Sequence, residues 1–278
     1  MTTAAITLTP FFLSSPAGKL FALYTTPTHG ARRGQILYLP PFAEEMHKSR
    51  RMAALQARRF AAAGYAVLQL DLTGCGDSWG DFSAARWEQW LADAACAIQW
   101  LKEQDQELPL FISGLRLGAT LAVNVAQHTP ILNGLLLWQP IINGDLFLNQ
   151  FLRLKLASDL LNEGQARTGT RQLREQFQQG LSIEIGGYCL TAELATAIGE
   201  LHLERMIPPC PVGWIEVVSE LPHAPPPALQ KLIQTWQPRG VVMHNQQVMG
   251  DPFWVTQEIT DCPALFEVTL ELIEHIQR

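Results

Sequence analysis

Short apolar runs alternate with amphipathic stretches along most of this chain. Gln35–Leu39, Ala66–Leu70, Leu110–Ile112 and Leu135–Trp138 are brief and mostly apolar, as strands are when both faces of a parallel sheet are covered. Between them, Glu44–Ala63 reads as a helix with Met52, Leu55, Phe60 and alanines on its inner face, closed by Gly64. Ser83 is placed to cap a second helix reaching about Lys102, in which Trp87, Trp90, Leu91, Ala94, Ile98 and Leu101 recur at helical spacing. From Leu117 to Ala126 the residues are small and apolar, suited to a helix packed tightly on a sheet. Alternation of this kind calls for a parallel sheet with right-handed crossovers, and its binding sites lie at the carboxyl ends of the strands.

Outside that stretch the rhythm changes. Ile6–Leu13 and Lys19–Thr25 read as two strands around the turn-rich Ser14–Gly18. After Trp138 comes a strongly apolar helical pattern over Asp145–Leu161 (Phe147, Phe151, Leu154), then the polar Gly164–Gly180. Ile183–Ile185, a Gly186-Gly187 turn and a helix near Thr191–Leu203 follow. Val212–Val218 resumes the sheet, Pro225–Trp236 is helical, Arg239 to about Met249 is the last strand, and Ala264–Arg278 closes as an amphipathic helix. The expectation is a single α/β domain: residues 1–142 and 212–278 form the core, and 143–211 an inserted helical cap over the strand ends.

Composition narrows the class. With 278 residues, 47% hydrophobic and 17% charged, the chain is an ordinary globular protein with ample core. A net charge of −6 and no long basic run argue against nucleic acid. Lys48, Arg50, Arg51, Arg58 and Arg59 read as the solvated face of one helix. Five cysteines without a C-x-x-C pair need no disulfide framework, so a reduced, cytoplasmic setting is expected. MTTAAITLTPFFLSS has no Lys or Arg before its apolar stretch and makes a poor signal peptide. No apolar run reaches the ~18 residues of a membrane span. The seven histidines lack metal-ligand spacing, and Gly74-Cys75-Gly76 is no dinucleotide fingerprint, so neither metal nor cofactor is expected.

The candidate chemistry centres on Pro109–Ala122, PLFISGLRLGATLA. A buried strand, Gly114, a bulky residue, a central residue, another residue, Gly118 and a helix reproduce the layout of a nucleophile elbow. The central residue is normally serine; here it is Arg116.

YLPPFAEE after one strand, DLTGCGDSWG after the next, GLRLG after the third and the late insertion together resemble the α/β-hydrolase superfamily. More narrowly, PPFAEEMHKSRRM, DLTGCGDSWGDF, GLRLGA, LLWQPI, GGYCLTAELA and GDPFWVTQEI are similar to the second of two hydrolase families associated with the exosortase A system. The resemblance implies an α/β-hydrolase fold, the label of hydrolase, and bacterial exopolysaccharide or protein-sorting biology. A serine hydrolase needs a nucleophile, a histidine base, an acid and two oxyanion donors. The N–H of Leu117 and that of Phe42 or Ala43 fit the donors. Arg116 keeps its proton at working pH and cannot attack. Glu220 follows the strand that should carry the acid, whereas Glu216, inside that strand, is less able to reach. In place of the histidine stands Gly250-Asp251-Pro252-Phe253-Trp254; His244 and His275 read as structural, and His223 lies in a proline-rich loop. Ser78 belongs to a turn that such folds use structurally, and Ser113 is expected to point away.

A buried arginine requires a partner. Glu44 and Glu45 are the nearest carboxylates by motif, with Asp77 a third. Arg116 then either ties two loops together or grips a carboxylate or phosphate. Phe42, Trp79, Trp138, Phe253 and Trp254 crowd the strand ends and suggest an apolar or sugar-stacking pocket. Three readings follow: a binding protein without a serine triad, holding an anionic or sugar-linked small molecule; an enzyme using Glu44, Glu45 or Glu220 as base; and a scaffold binding a partner through the apolar face of Leu146–Leu161.

Overall fold

The computed structural model describes residues 5–163 and 169–278, with side chains in the first long helix after β6 described as far as Ala157. Residues 1–4 and the start of the polar stretch, 164–168, lie outside the described residues. The chain opens with β1 (Ile6–Ser14) and β2 (Lys19–Pro27), an antiparallel hairpin paired from Ile6–Pro27 to Ser14–Lys19. Then β3 (Gly34–Leu39), α1 (Glu44–Ala62), β4 (Tyr65–Leu70), α2 (Trp87–Gln104), β5 (Leu110–Leu115), α3 (Leu117–Gln127) and β6 (Gly134–Trp138) alternate as the apolar pattern predicts. Every residue of β3, β5 and β6 is buried, because helices cover both faces.

After β6 the chain leaves the sheet for α4 (Gly144–Glu163), α5 (Thr170–Gln178), a small hairpin of β7 (Ile183–Ile185) and β8 (Tyr188–Leu190), and α6 (Ala192–Gly199). It returns with β9 (Val212–Val218), α7 (Pro227–Trp236), β10 (Met243–Met249) and α8 (Pro263–Ile276). The main sheet has eight strands in the order β1-β2-β4-β3-β5-β6-β9-β10. β2 runs antiparallel to β4, and from β4 to β10 all pairs are parallel.

Three boundaries differ from expectation. Ser83 does not cap α2: Asp81 accepts the Ser83 N–H at 3.1 Å and starts a short 3-10 turn, and α2 begins only at Trp87. The last strand begins at Met243, because Gly240 at φ 84° ends the preceding turn. The helix expected near Thr191–Leu203 stops at Gly199 and is followed by a 3-10 turn over Leu203–Arg205.

Three of the basic residues of α1 form ion pairs at the surface. Arg50 reaches Asp71 at 2.9 Å, Arg51 reaches Asp261 at 2.8 Å, and Arg59 reaches Glu267 at 3.0 Å. The apolar face of α4 is buried through Phe147, Leu148, Phe151 and Leu152, while Leu146 and Leu154 stay exposed. Phe147 and Phe151 pack edge-on against Phe42, with ring centroids 5.8 and 5.0 Å apart. The inserted segment therefore docks on the loop after β3. Among the described residues, no helix is long and apolar enough to cross a membrane.

Candidate binding site at the elbow

Three neighbouring strands, β3, β5 and β6, deliver strained residues to the same edge of the sheet. Among the described residues, the non-glycine positions with positive φ are Ala43 (52°), Arg116 (56°) and Gln139 (46°). Each follows the carboxyl end of one of those strands. Conformations of this kind cost about 1–3 kcal/mol each and cluster where a site is being held. The elbow geometry is therefore kept although its serine is gone. Gly118 is required by contact: a Cβ there would run into the carbonyl oxygens of Leu39 and Pro40. A Cβ on Gly114 would meet the Gly118 carbonyl oxygen at 2.6 Å.

Arg116 is the N-cap of α3, and its side chain is 16% exposed. Its Nε donates to Oε1 of Glu45 at 3.2 Å. Its Cζ lies 5.4 Å from the centre of the Trp254 ring, a cation–π contact. Among the described residues, neither Nη has an assigned acceptor. Glu45 opens α1, and its second oxygen, Oε2, is buried without a hydrogen-bond partner among them. Burial pushes the Glu45 carboxyl up to about 7, against the pull of the Arg116 guanidinium.

The cleft beside Arg116 has a volume of about 210 Å³ and is lined by Gln139, Gln150, Trp214, Glu216, Phe147 and Pro226 among others. Glu216 is buried and accepts from Nε2 of Gln247 at 3.2 Å. Burial raises its pKa, opposed by the Gln247 hydrogen bond and the nearby His223. Gln139 uses its Oε1 to accept the Val217 N–H at 2.8 Å. Trp214 is 1% exposed, and its indole nitrogen is buried without an acceptor among the described residues.

Of the expected site residues, the structure brings Arg116, Glu45 and Trp254 together. The N–H groups of Ala43 and Leu117 sit where α1 and α3 begin, and such groups have no intrahelical acceptor. Phe42, just before them, is buried among Phe82, Trp90, Phe147 and Phe151. Glu44 is half-buried and Glu220 exposed. Asp77 donates its N–H to Asp71 and is exposed, so it is no partner for Arg116.

The stacking pocket needs correction. Trp79 is 55% exposed and covers Gly18 in the β1–β2 turn. Trp138 and Phe253 are fully buried, and Trp138 donates to Thr269 at 3.0 Å. None of Trp79, Trp138, Phe253 and Trp254 lines the cleft beside Arg116. Position at a strand end does not tell which face a ring takes.

None of Ser78, Ser113, His244 and His275 lines the cleft beside Arg116. Ser78 donates to the Asp71 carbonyl and accepts the Phe21 N–H at 2.8 Å, a turn-holding role. Ser113 is buried with an unpartnered hydroxyl. His244 packs edge-on against His275 at 4.5 Å, between β10 and α8. Among the described residues, no group of three or more His, Cys, Asp or Glu is placed to hold a metal ion. Glu216 is the residue the sequence reading set aside. Its signal was a carboxylate two positions after Trp214 in an otherwise apolar strand, which puts both side chains on one face.

Comparison with known proteins agrees with the fold. A family model described as serine aminopeptidase, S33, matches residues 32–179, more than half of the chain. A thermostable monoacylglycerol lipase from Bacillus sp. (strain H-257) is 30% identical over 100 residues, 36% of this chain and 38% of that protein. The chain thus spans well under half the length of this curated relative. Among solved structures, Est1E from Butyrivibrio proteoclasticus with ferulic acid bound superposes with a TM-score of 0.73 at 15% identity, over 96% of this chain and 100% of that one. A highly thermostable carboxyl esterase from Bacillus coagulans in complex with glycerol gives 0.66 at 17% identity, over 98% of each chain. At these identities the structural likeness shows the fold, which is that of the α/β-hydrolases.

Proposed function

Since the chain belongs to the S33 serine aminopeptidase family of α/β-hydrolases yet carries arginine at the elbow, we propose that it is a binding protein without serine-type catalysis. It holds a small carboxylated or anionic molecule on Arg116, and residues 143–211 act as the cap over that site. The narrower sequence resemblance points to exopolysaccharide or protein-sorting biology of the exosortase A type, and the cysteine usage to a cytoplasmic setting.

The observation that carries this reading is the state of the guanidinium. Glu45 and Trp254 fix its position, while its two Nη groups keep their donors at the edge of a cleft. A pre-positioned cation of this kind is an anion receptor, and its fork geometry suits a carboxylate. The N–H groups of Ala43 and Leu117, at helix starts, favour negative charge at the same edge.

Titration calorimetry with acetate on the wild-type chain and on Arg116→Gln tests the reading. Saturable binding to the wild type, lost in the variant, is expected. Absence of binding to the wild type, or equal binding to both, contradicts it.

Hydrolysis by a carboxylate base is the second reading, favoured by the raised Glu45 pKa of about 7 and its unpartnered Oε2. A base must be free to take a proton from water in the cleft. Glu45 is instead paired with Arg116 through one oxygen and has the other closed off from solvent, while neither Glu44 nor the exposed Glu220 lines the cleft. The binding reading therefore has the better support.

A further inference from the structure

Every polar group in the Arg116 cleft that lacks a partner says something about the occupant. The free edge of Arg116 presents two donors. In the same cleft, Glu216 uses Oε2 for Gln247. Its other oxygen has no assigned partner among the described residues. Gln139 spends its Oε1 on the Val217 N–H, and no acceptor is assigned to its amide nitrogen among those residues.

The set is thus one cation, one amide donor and one carboxyl group, with Phe147 and Pro226 as apolar walls. A plain fatty carboxylate satisfies only the cation. An inorganic phosphate leaves the apolar walls unused. A neutral sugar leaves Arg116 unpaired. A volume of about 210 Å³ is below the ~300–1,000 Å³ of pockets for drug-sized ligands.

We propose that this cleft selects a hydroxylated carboxylate of about monosaccharide size, its carboxylate on the free edge of Arg116 and its hydroxyls on Gln139 and Glu216. This inference rests on the anion-binding reading of Arg116 and adds the second half of the recognition. Selectivity comes from the penalty of leaving Gln139 and Glu216 unmatched, which a hydroxyl relieves and a methylene does not.

Titration calorimetry on the full chain with D-glucuronate, cyclohexanecarboxylate, D-glucose and inorganic phosphate tests it. Glucuronate is expected to bind at least tenfold more tightly than cyclohexanecarboxylate, with glucose and phosphate weaker than both. Glu216→Gln, checked for folding by circular dichroism, is expected to shrink that tenfold ratio while retaining cyclohexanecarboxylate binding. Should Glu216→Gln not fold, the wild-type ratio still decides. Equal affinity for the two carboxylates overturns the hydroxyl selectivity and leaves the anion reading standing. Preference for phosphate overturns the ligand class. Failure of all four ligands to bind overturns both readings together.

Discussion

Arg116 and Glu45 form a buried ion pair in which each partner uses only part of its capacity. One nitrogen meets one oxygen at 3.2 Å, while Oε2 of Glu45 and both Nη groups of Arg116 find no partner among the described residues. A fully satisfied pair would be a structural tie. A half-satisfied one, at 16% and 9% side-chain exposure, is a site with capacity left over.

The pair makes stability depend on pH. The folded chain holds a proton on Glu45 up to about 7, whereas the unfolded chain releases it near 4.5. Between those values the folded state binds more protons than the unfolded one. The contribution of Glu45 is therefore fully present below about 4.5 and is lost as pH rises through about 7. Its size is on the order of 3 kcal/mol. Urea midpoints from pH 4 to pH 8 should fall more steeply for the wild type than for Glu45→Gln. Parallel slopes would show that Glu45 titrates normally.

Restoring the missing hydroxyl should not restore chemistry. Arg116→Ser places an alcohol on a correctly bent elbow, but the segment after β10 supplies Phe253 and Trp254, both buried, and no imidazole. Hydrolysis of p-nitrophenyl acetate by this variant is expected to stay at the level of the wild type. An increase of a hundredfold would reveal a base elsewhere.

Gly118→Ala should be among the most damaging small changes in the protein. The new methyl has only the carbonyl oxygens of Leu39 and Pro40 to meet, and both belong to rigid backbone. A loss of ~3 kcal/mol or more is expected, seen as a drop in thermal midpoint.

Ser78→Ala separates structure from binding. The hydroxyl joins the Asp71 carbonyl to the Phe21 N–H, and its removal leaves a buried donor and acceptor without partners. A cost of about 1–3 kcal/mol follows, with acetate affinity unchanged. A loss of affinity without a loss of stability would place Ser78 in the site.

The central sheet was legible because β3 to β6 are buried on both faces, and continuous apolar runs announce that state. The elbow was legible from glycine spacing, and Glu45 from its place at the start of α1. The start of α2 was misread because Asp81 and Ser83 are both good capping residues, and only the tertiary path decides between them. Glu216 was passed over because an acid was sought after the strand, where Glu220 proved exposed. Trp79, Trp138 and Phe253 looked like a pocket because they share strand ends, yet one caps a turn and two fill the core. Which face a ring takes depends on packing across elements, and single-chain patterns do not carry that information.

The central claim is that a permanent cation has replaced the attacking hydroxyl. Intact-mass spectrometry after exposure to a fluorophosphonate serine probe tests it most directly. An unchanged mass at full probe excess is the predicted result. A stoichiometric adduct on any serine would contradict the account.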